Sequence, residues 1–195
     1  MNVYSSGLRA LDDKEGMASS YKALGVLRRD MGTLNEALDY HNKALEIDTS
    51  LNDRVGMGKE YTNFGNVLSQ MSNYKEALEY HNKALKIQTE LDVRAYMGRD
   101  YSNFGLVLSA MGNNKEALAY HNKALKIHEE MNDNVWVARD LYKRNSVYVN
   151  MKKSQDAVDY LHRALGKLED FKEETNYHHP LLDNVYNQIS HLKGD

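Results

Sequence analysis

His41, His81 and His121 stand 40 residues apart, each followed by Asn and Lys. An imidazole can serve as a base, a metal ligand or a packing ring. Single histidines one whole repeat apart do not bring two ligands to one ion. The spacing therefore favours packing, with the rings partly buried between helices. His178, His179 and Asp183 are spaced to approach one metal ion in helical geometry, but polar residues at a helix start account for them equally well. The sequence has no Gly-rich phosphate loop, no nucleophile elbow and no His-Glu-x-x-His motif. With no cysteine, disulfides, thiol catalysis and thiolate zinc sites are excluded. The expectation is a protein without catalytic residues, metal or cofactor.

The recurring polar pairs say more. Lys59 and Asn63, Arg99 and Asn103, and Arg139 and Lys143 are each four residues apart and recur with the repeat. On a helix each pair shares one face. Asparagine donates and accepts at once, which suits the amides and carbonyls of an extended peptide, while Arg and Lys suit carboxylates. These side chains are expected to be solvated. Lys83, Lys86 and Glu90 belong to a different, solvated charge run.

The elements that must carry these residues follow from one segment. Glu76-Ala-Leu-Glu-Tyr-His-Asn-Lys-Ala-Leu85 appears three times almost unaltered and once degraded, with its tyrosine at Tyr40, Tyr80, Tyr120 and Tyr160. A constant period of 40 residues marks stacked modules, because one such module cannot bury its apolar face alone. Within the second, Met57, Tyr61, Phe64, Val67, Leu68 and Met71 recur at helical steps after the capping residue Asp53 and form helix A. Tyr74, Ala77, Leu78, Tyr80, His81, Ala84, Leu85, Ile87 and Leu91 form helix B. Gly32 and Gly112, with Ser72-Asn73 in the second unit, end the A helices. The short turn makes each pair antiparallel. Gly25, Gly65 and Gly105 sit in mid-helix, where glycine costs about 1 kcal/mol against alanine, so another helix is expected close by. Ala37, Ala77, Ala117 and Ala157 are the expected partners.

The series Tyr61, Phe64-Gly65, Leu68, Tyr74, Ala77, His81, Ala84 resembles the tetratricopeptide repeat. The repeat here is longer than that family's usual unit and lacks its proline after helix B. It is similar to the 40-residue repeats of the Leu-Gly-Asn-repeat G-protein-signalling modulators and to those of kinesin light chain. The resemblance implies an all-α right-handed α-solenoid of antiparallel helix pairs. Residues 1–12 would be the tail of a preceding helix or a frayed terminus, and 13–52, 53–92, 93–132 and 133–172 four repeats. Residues 173–195 would form a C-terminal capping helix, in which Leu182, Val185, Tyr186, Ile189 and Leu192 recur at helical spacing after Pro180. It also implies that the polar pairs line a concave groove. Co-chaperones of this family clamp the acidic tails of heat-shock chaperones with residues at positions that Asn66, Asn103, Arg139 and Lys143 match. Thr62 stands where their first lysine would be. The peptide-binding set is thus Lys59, Asn63, Asn66, Arg99, Asn103, Arg139 and Lys143.

The fourth repeat departs from its own consensus. Arg144-Asn145 replaces Phe-Gly, Tyr148 and Val149 add bulk, and Trp136 stands where earlier units carry Gly16, Gly56 and Tyr96. The tryptophan can anchor a ligand or fill a gap between helices. A formal charge of −3 argues against nucleic acid, which needs clustered excess cations. No apolar run approaches the ~20 residues of a membrane span, and no signal-peptide core is present. The expected protein is a non-enzymatic cytoplasmic interaction module for an acidic protein or peptide partner. It would be a monomer or a weak homodimer through the array ends. The alternatives are a ligand-responsive regulatory sensor and a structural scaffold associating through its ends.

Overall fold

The computed structural model describes the backbone of residues 3–193 and the side chains of residues 13–192. Left-handed residues punctuate it: Gly32 (φ 79°), Asn52 (55°), Ser72 (62°), Asp92 (50°), Gly112 (82°), Asn132 (55°), Lys152 (58°) and Asn176 (54°). At each three-residue turn the backbone folds back onto the last carbonyls of its helix, as in Gly32 N to Arg29 O (2.9 Å) and Thr33 N to Arg28 O (2.9 Å). Only glycine takes this conformation without cost, and Asn and Asp tolerate it best among the rest.

The helices between these turns fall into two compact units. The first holds α1 (Val3–Asp30), α2 (Leu34–Ser50), α3 (Arg54–Gln70) and α4 (Tyr74–Glu90). The second holds α5 (Arg94–Ala110), α6 (Asn114–Glu130), α7 (Asn134–Asn150), α8 (Ser154–Thr175) and α9 (Leu181–Lys193). Helices α2 to α7 are 17 residues each, or about 26 Å. Helix α1 runs without a turn through Asp13. In the first unit α1 packs along α2, α2 on α3 and α3 along α4. In the second α5 packs along α6, α6 on α7, α7 along α8 and α8 on α9. No strand occurs among the described residues. The fold class is all-α, built as a tetratricopeptide-type solenoid.

The mid-helix glycines do face a close neighbour, but it is histidine and not the expected alanine. A Cβ built on Gly25 would lie 2.6 Å from His41, on Gly65 2.5 Å from His81, and on Gly105 2.5 Å from His121. Each imidazole of helix B lies flat against the bare backbone of helix A, which removes the space a methyl would need. The three histidines are wholly buried, more so than the partly buried rings expected from the sequence. Ala37, Ala77, Ala117 and Ala157 are buried too, but the atoms nearest each missing Cβ belong to the histidines.

Beside each ring lies an aromatic stack. Phe64 stacks on Tyr80 (5.1 Å between centroids) and Phe104 on Tyr120 (4.9 Å). In the fourth pair Arg144 takes the phenylalanine's place, its guanidinium 4.3 Å from the Tyr160 ring and donating to Tyr160 Oη at 2.6 Å. Asn145 replaces the glycine, donates to Ala157 O at 3.2 Å, and Leu161 replaces the histidine. The irregular repeat is therefore a repacked contact. Lys43, Lys83 and Lys123 extend over the tyrosines, with Lys83 Nζ 4.3 Å from the Tyr80 ring. Lys83 is thus tied to aromatic packing and is not simply part of a solvated run.

Helix α9 closes the apolar face of the second unit. Leu182, Val185 and Ile189 enter a cluster with Leu125, Val137, Leu141, Leu161, Ala164 and Leu168, while Asp183, Asn187 and His191 face water. Tyr186 stays outside and donates to Glu169 at 2.7 Å.

Two outcomes are expected. Gly65→Ala should lower stability by about 1–3 kcal/mol through overpacking against His81. Gly166→Ala on α8, where no atom lies within 4 Å, should be neutral or stabilising by about 0.5–1 kcal/mol. Urea titration of both variants checks the pair. Val185→Asp should place a carboxylate at a fully buried site, detach α9 and cause self-association in light scattering. A variant as monodisperse and stable as the parent would remove the capping role.

Candidate functional site

The positions singled out from the sequence fall in both units. In the first, Lys59, Asn63 and Asn66 lie on α3 and are partly buried. Asn63 is not simply solvated: its amide donates to Glu60 Oε1 at 3.2 Å. Glu60 is wholly buried, and its Oε2 lies 2.7 Å from Nδ1 of His41. Thr62 donates back to Gly58 O at 3.2 Å. One face of α3 thus holds a buried acid whose two oxygens are both committed.

In the second unit Arg99 and Asn103 come from α5, and Arg139 and Lys143 from α7. The structure gathers Arg99 and Arg139 over Trp136, while Lys143 turns to Ser102. The guanidinium carbon of Arg99 lies 4.4 Å, and that of Arg139 4.8 Å, from the indole ring. Trp136 also stacks on His128 of α6 at 5.3 Å. It therefore fills a gap between helices and offers a surface to two cations. Asn103 is partly buried on the same helix as Arg99.

Lys143 departs from the solvated side chain expected of it. Its Nζ donates to Ser102 Oγ at 2.9 Å, and that hydroxyl donates to Asp140 Oδ1 at 2.7 Å. Asp140 Oδ2 lies 2.6 Å from His128 Nδ1. Burial lowers the Lys143 pKa to about 8, with Arg139 and Arg99 pushing the same way and Asp140 opposing. Among the described residues neither Arg99 nor Arg139 has a carboxylate partner. The exposed Arg54 is by contrast paired with Glu90, whose carboxyl is held below the usual range mainly by that hydrogen bond.

Comparison of the units shows equivalent acids with different partners, at a place where the second unit has His128 and the first has Asp48. Glu60 and Asp140 are equivalent by repeat, as are His41 and His121. Glu60 reaches His41. The shorter Asp140 takes His128 instead, one repeat-B turn-pair further along, and both nitrogens of His121 are without a hydrogen-bond partner. Burial, then the nearby Lys143 and Arg144 charges, lowers the His121 pKa to about 3. His128, Asp140 and Ser102 were not singled out from the sequence. The available signal was the acid recurring within the apolar stripe of helix A at Glu60, Asp100 and Asp140. His178 and Asp183 lie 2.9 Å apart as an exposed pair, and the described residues contain no group of three or more potential metal ligands. No helix among them is long and apolar enough to cross a membrane.

A family model for the tetratricopeptide repeat matches residues 16–90 and 59–130, together more than half of the chain. No curated protein matches the sequence. Among solved structures, BtubC (BKLC) from P. vanneervenii is similar at a TM-score of 0.73 and 17% identity, covering 96% of this chain and 80% of that one. A Rap protein complexed with Competence and Sporulation Factor is similar at 0.75 and 16%, covering 88% and 47%. Aspartyl phosphate phosphatase F from Bacillus subtilis is similar at 0.72 and 18%, covering 78% and 40%. The chain thus spans less than half the length of these last two. At such identities the likeness is one of fold.

His121 makes the protein acid-sensitive. The unfolded chain takes up a proton near pH 6.5, whereas the folded one resists until about pH 3, so stability is lost as pH falls through that window. Asp140→Glu should extend the carboxylate towards His121 as in the Glu60–His41 pair. The His121 pKa should then rise towards 6.5 in an NMR titration, and less stability should be lost between pH 7 and 5. An unmoved His121 resonance would show that side-chain length does not choose the partner.

Proposed function

The chain belongs to the tetratricopeptide repeat family, a scaffold for protein–protein interaction, and we propose that it binds an acidic peptide segment. The acidic side chains seat on Arg99, Arg139 and Lys143, and Asn103 meets the backbone amides. Lys59, Asn63 and Asn66 offer the first unit's α3 face to the same kind of ligand. One observation carries this reading: two arginines stack at Trp136 without a carboxylate partner among the described residues. Their guanidiniums keep in-plane donors for a carboxylate while their faces rest on the indole. The nearby acid, Asp140, is buried and its oxygens are taken by Ser102 and His128, so it does not occupy the arginines' donors.

A similar fold, in the Rap protein, was solved in complex with Competence and Sporulation Factor. This supports a partner-binding role at the level of the fold. The acidity of the partner rests on the cations of this chain. We place the molecule in the cytoplasm, where the absence of cysteine is unremarkable.

The test is an array of short Asp- and Glu-rich peptides, each with its Asn/Gln counterpart, titrated against the protein. Arg99→Ala with Arg139→Ala should weaken the best acidic peptide at least tenfold, or about 1.4 kcal/mol, and affinity should fall with salt. Lys86→Ala is the control, because Lys86 is exposed and away from the tyrosine rings that hold Lys83. Affinity should also fall as pH rises through about 8, where Lys143 loses its proton. Equal binding of the acidic and amide peptides, or equal loss in Lys86→Ala, would defeat the reading.

A further inference from the structure

We propose that Lys143 is an amine nucleophile set among cations, and that it forms imines with small carbonyl compounds carrying an anionic group, such as 2-oxo acids or phosphorylated aldehydes. The geometry around Nζ sets it apart from surface lysines such as Lys86. It is partly buried between α5 and α7, and it donates a hydrogen bond to a hydroxyl, Ser102 Oγ at 2.9 Å. That hydroxyl's proton is committed to Asp140, whose other oxygen is committed to His128. Among the described residues no carboxylate forms an ion pair with the amine. Arg139 stands one turn earlier on α7, and Arg99 one turn before Ser102 on α5, both over Trp136. Arg144 follows in sequence, and the ring of His121 nearby is buried and neutral.

Loss of solvent favours the uncharged amine, and the Arg139 and Arg99 guanidiniums act the same way against the opposing Asp140 carboxylate; desolvation and neighbouring cations are what activate nucleophilic lysines in general. The low pKa of Lys143 agrees with this geometry. A neutral amine that donates one N–H to Ser102 keeps its lone pair for a carbonyl carbon. The same guanidiniums supply the attraction, since a carboxylate or phosphate on the carbonyl compound pairs with Arg99 and Arg139 and brings the electrophile to Nζ.

The step balances without a co-reactant. The Nζ lone pair forms the C–N bond as the carbonyl π pair moves to oxygen, and a proton passes from nitrogen to that oxygen to give the carbinolamine. The C–O bond then breaks as the second amine proton leaves with the oxygen as water, and C=N forms. The adduct is reversible. It removes one cation from the Trp136 face and occupies the space beside it, so it would also lower acidic-peptide affinity.

The experiment uses the full chain and pyridoxal 5′-phosphate as an anionic aldehyde at substoichiometric ratio and pH 7.5, with borohydride to trap the imine and peptide mass mapping to locate it. Lys143 should carry roughly tenfold more label than Lys86. Unphosphorylated pyridoxal should show a much smaller preference. Arg99→Ala and, separately, Arg139→Gln should reduce Lys143 labelling several-fold without changing that of Lys86, with helical circular dichroism confirming the fold. Labelling that follows exposure alone, or a Lys143 preference indifferent to both arginine variants, would overturn the proposal. No peptide enters this experiment, so its failure leaves the peptide reading standing, and failed peptide binding leaves the amine chemistry untouched.

Discussion

The contact on which the structure depends is an imidazole ring pressed onto a glycine. At Gly25, Gly65 and Gly105 the missing Cβ would fall 2.5–2.6 Å from the ring of His41, His81 or His121, inside the distance any real methyl could occupy. This fixes how near helix B can come to helix A in those pairs. Glycine costs each A helix about 1 kcal/mol in propensity, and close packing of the ring offsets it. In the second and third pairs the phenylalanine beside the glycine is thereby brought onto the tyrosine beside the histidine, and the lysine one turn later onto the tyrosine. A packing ring of aliphatic shape would not have created the next problem, which is polarity.

Burying an imidazole requires either that it be neutral or that a partner follow it in. His41 receives Glu60 from the next pair, and Glu60 in turn holds Asn63. In the second unit the equivalent acid is one methylene shorter and turns to His128, so His121 stays neutral and alone while Asp140 gathers Ser102 and Lys143. A lysine is drawn from water by this chain of hydrogen bonds and held beside two arginines. The cationic face at Trp136 is thus a consequence of how the interior satisfies its polar groups. The same lack of solvent weakens the hold of Lys143 on its proton.

The fourth pair shows that the contact can be replaced as a unit. Asn145 and Leu161 substitute for glycine and histidine, and Arg144 stacks on Tyr160 where phenylalanine did. Its apolar interior passes into the cluster closed by Leu182, Val185 and Ile189 of α9. Beyond Arg144 and Asn145, that end of the second unit is aliphatic.

Much of this was written in the sequence. The 40-residue period, the helical steps of Met57 to Met71, the Gly and Asn turn residues and the amphipathic run from Leu182 to Leu192 gave helix type and a last amphipathic helix, because each depends on residues near one another in the chain; that helix starts at Leu181 and not at residue 173, since α8 continues to Thr175. The placing of Arg99, Asn103, Arg139 and Lys143 on the A helices was legible for the same reason. What the tertiary structure decided were the contacts between helices. Sequence reading set alanine opposite the glycines, but the backbone geometry presents histidine. It left Lys143 in water, where the fold ties it to Ser102. It gave no role to His128 or Asp140, since which histidine of α6 the acid meets is a matter of contact between two helices. Periodicity assigns a residue to a face. Which atom it meets there depends on side-chain length and the angle of the neighbouring helix, and neither is recorded along the chain.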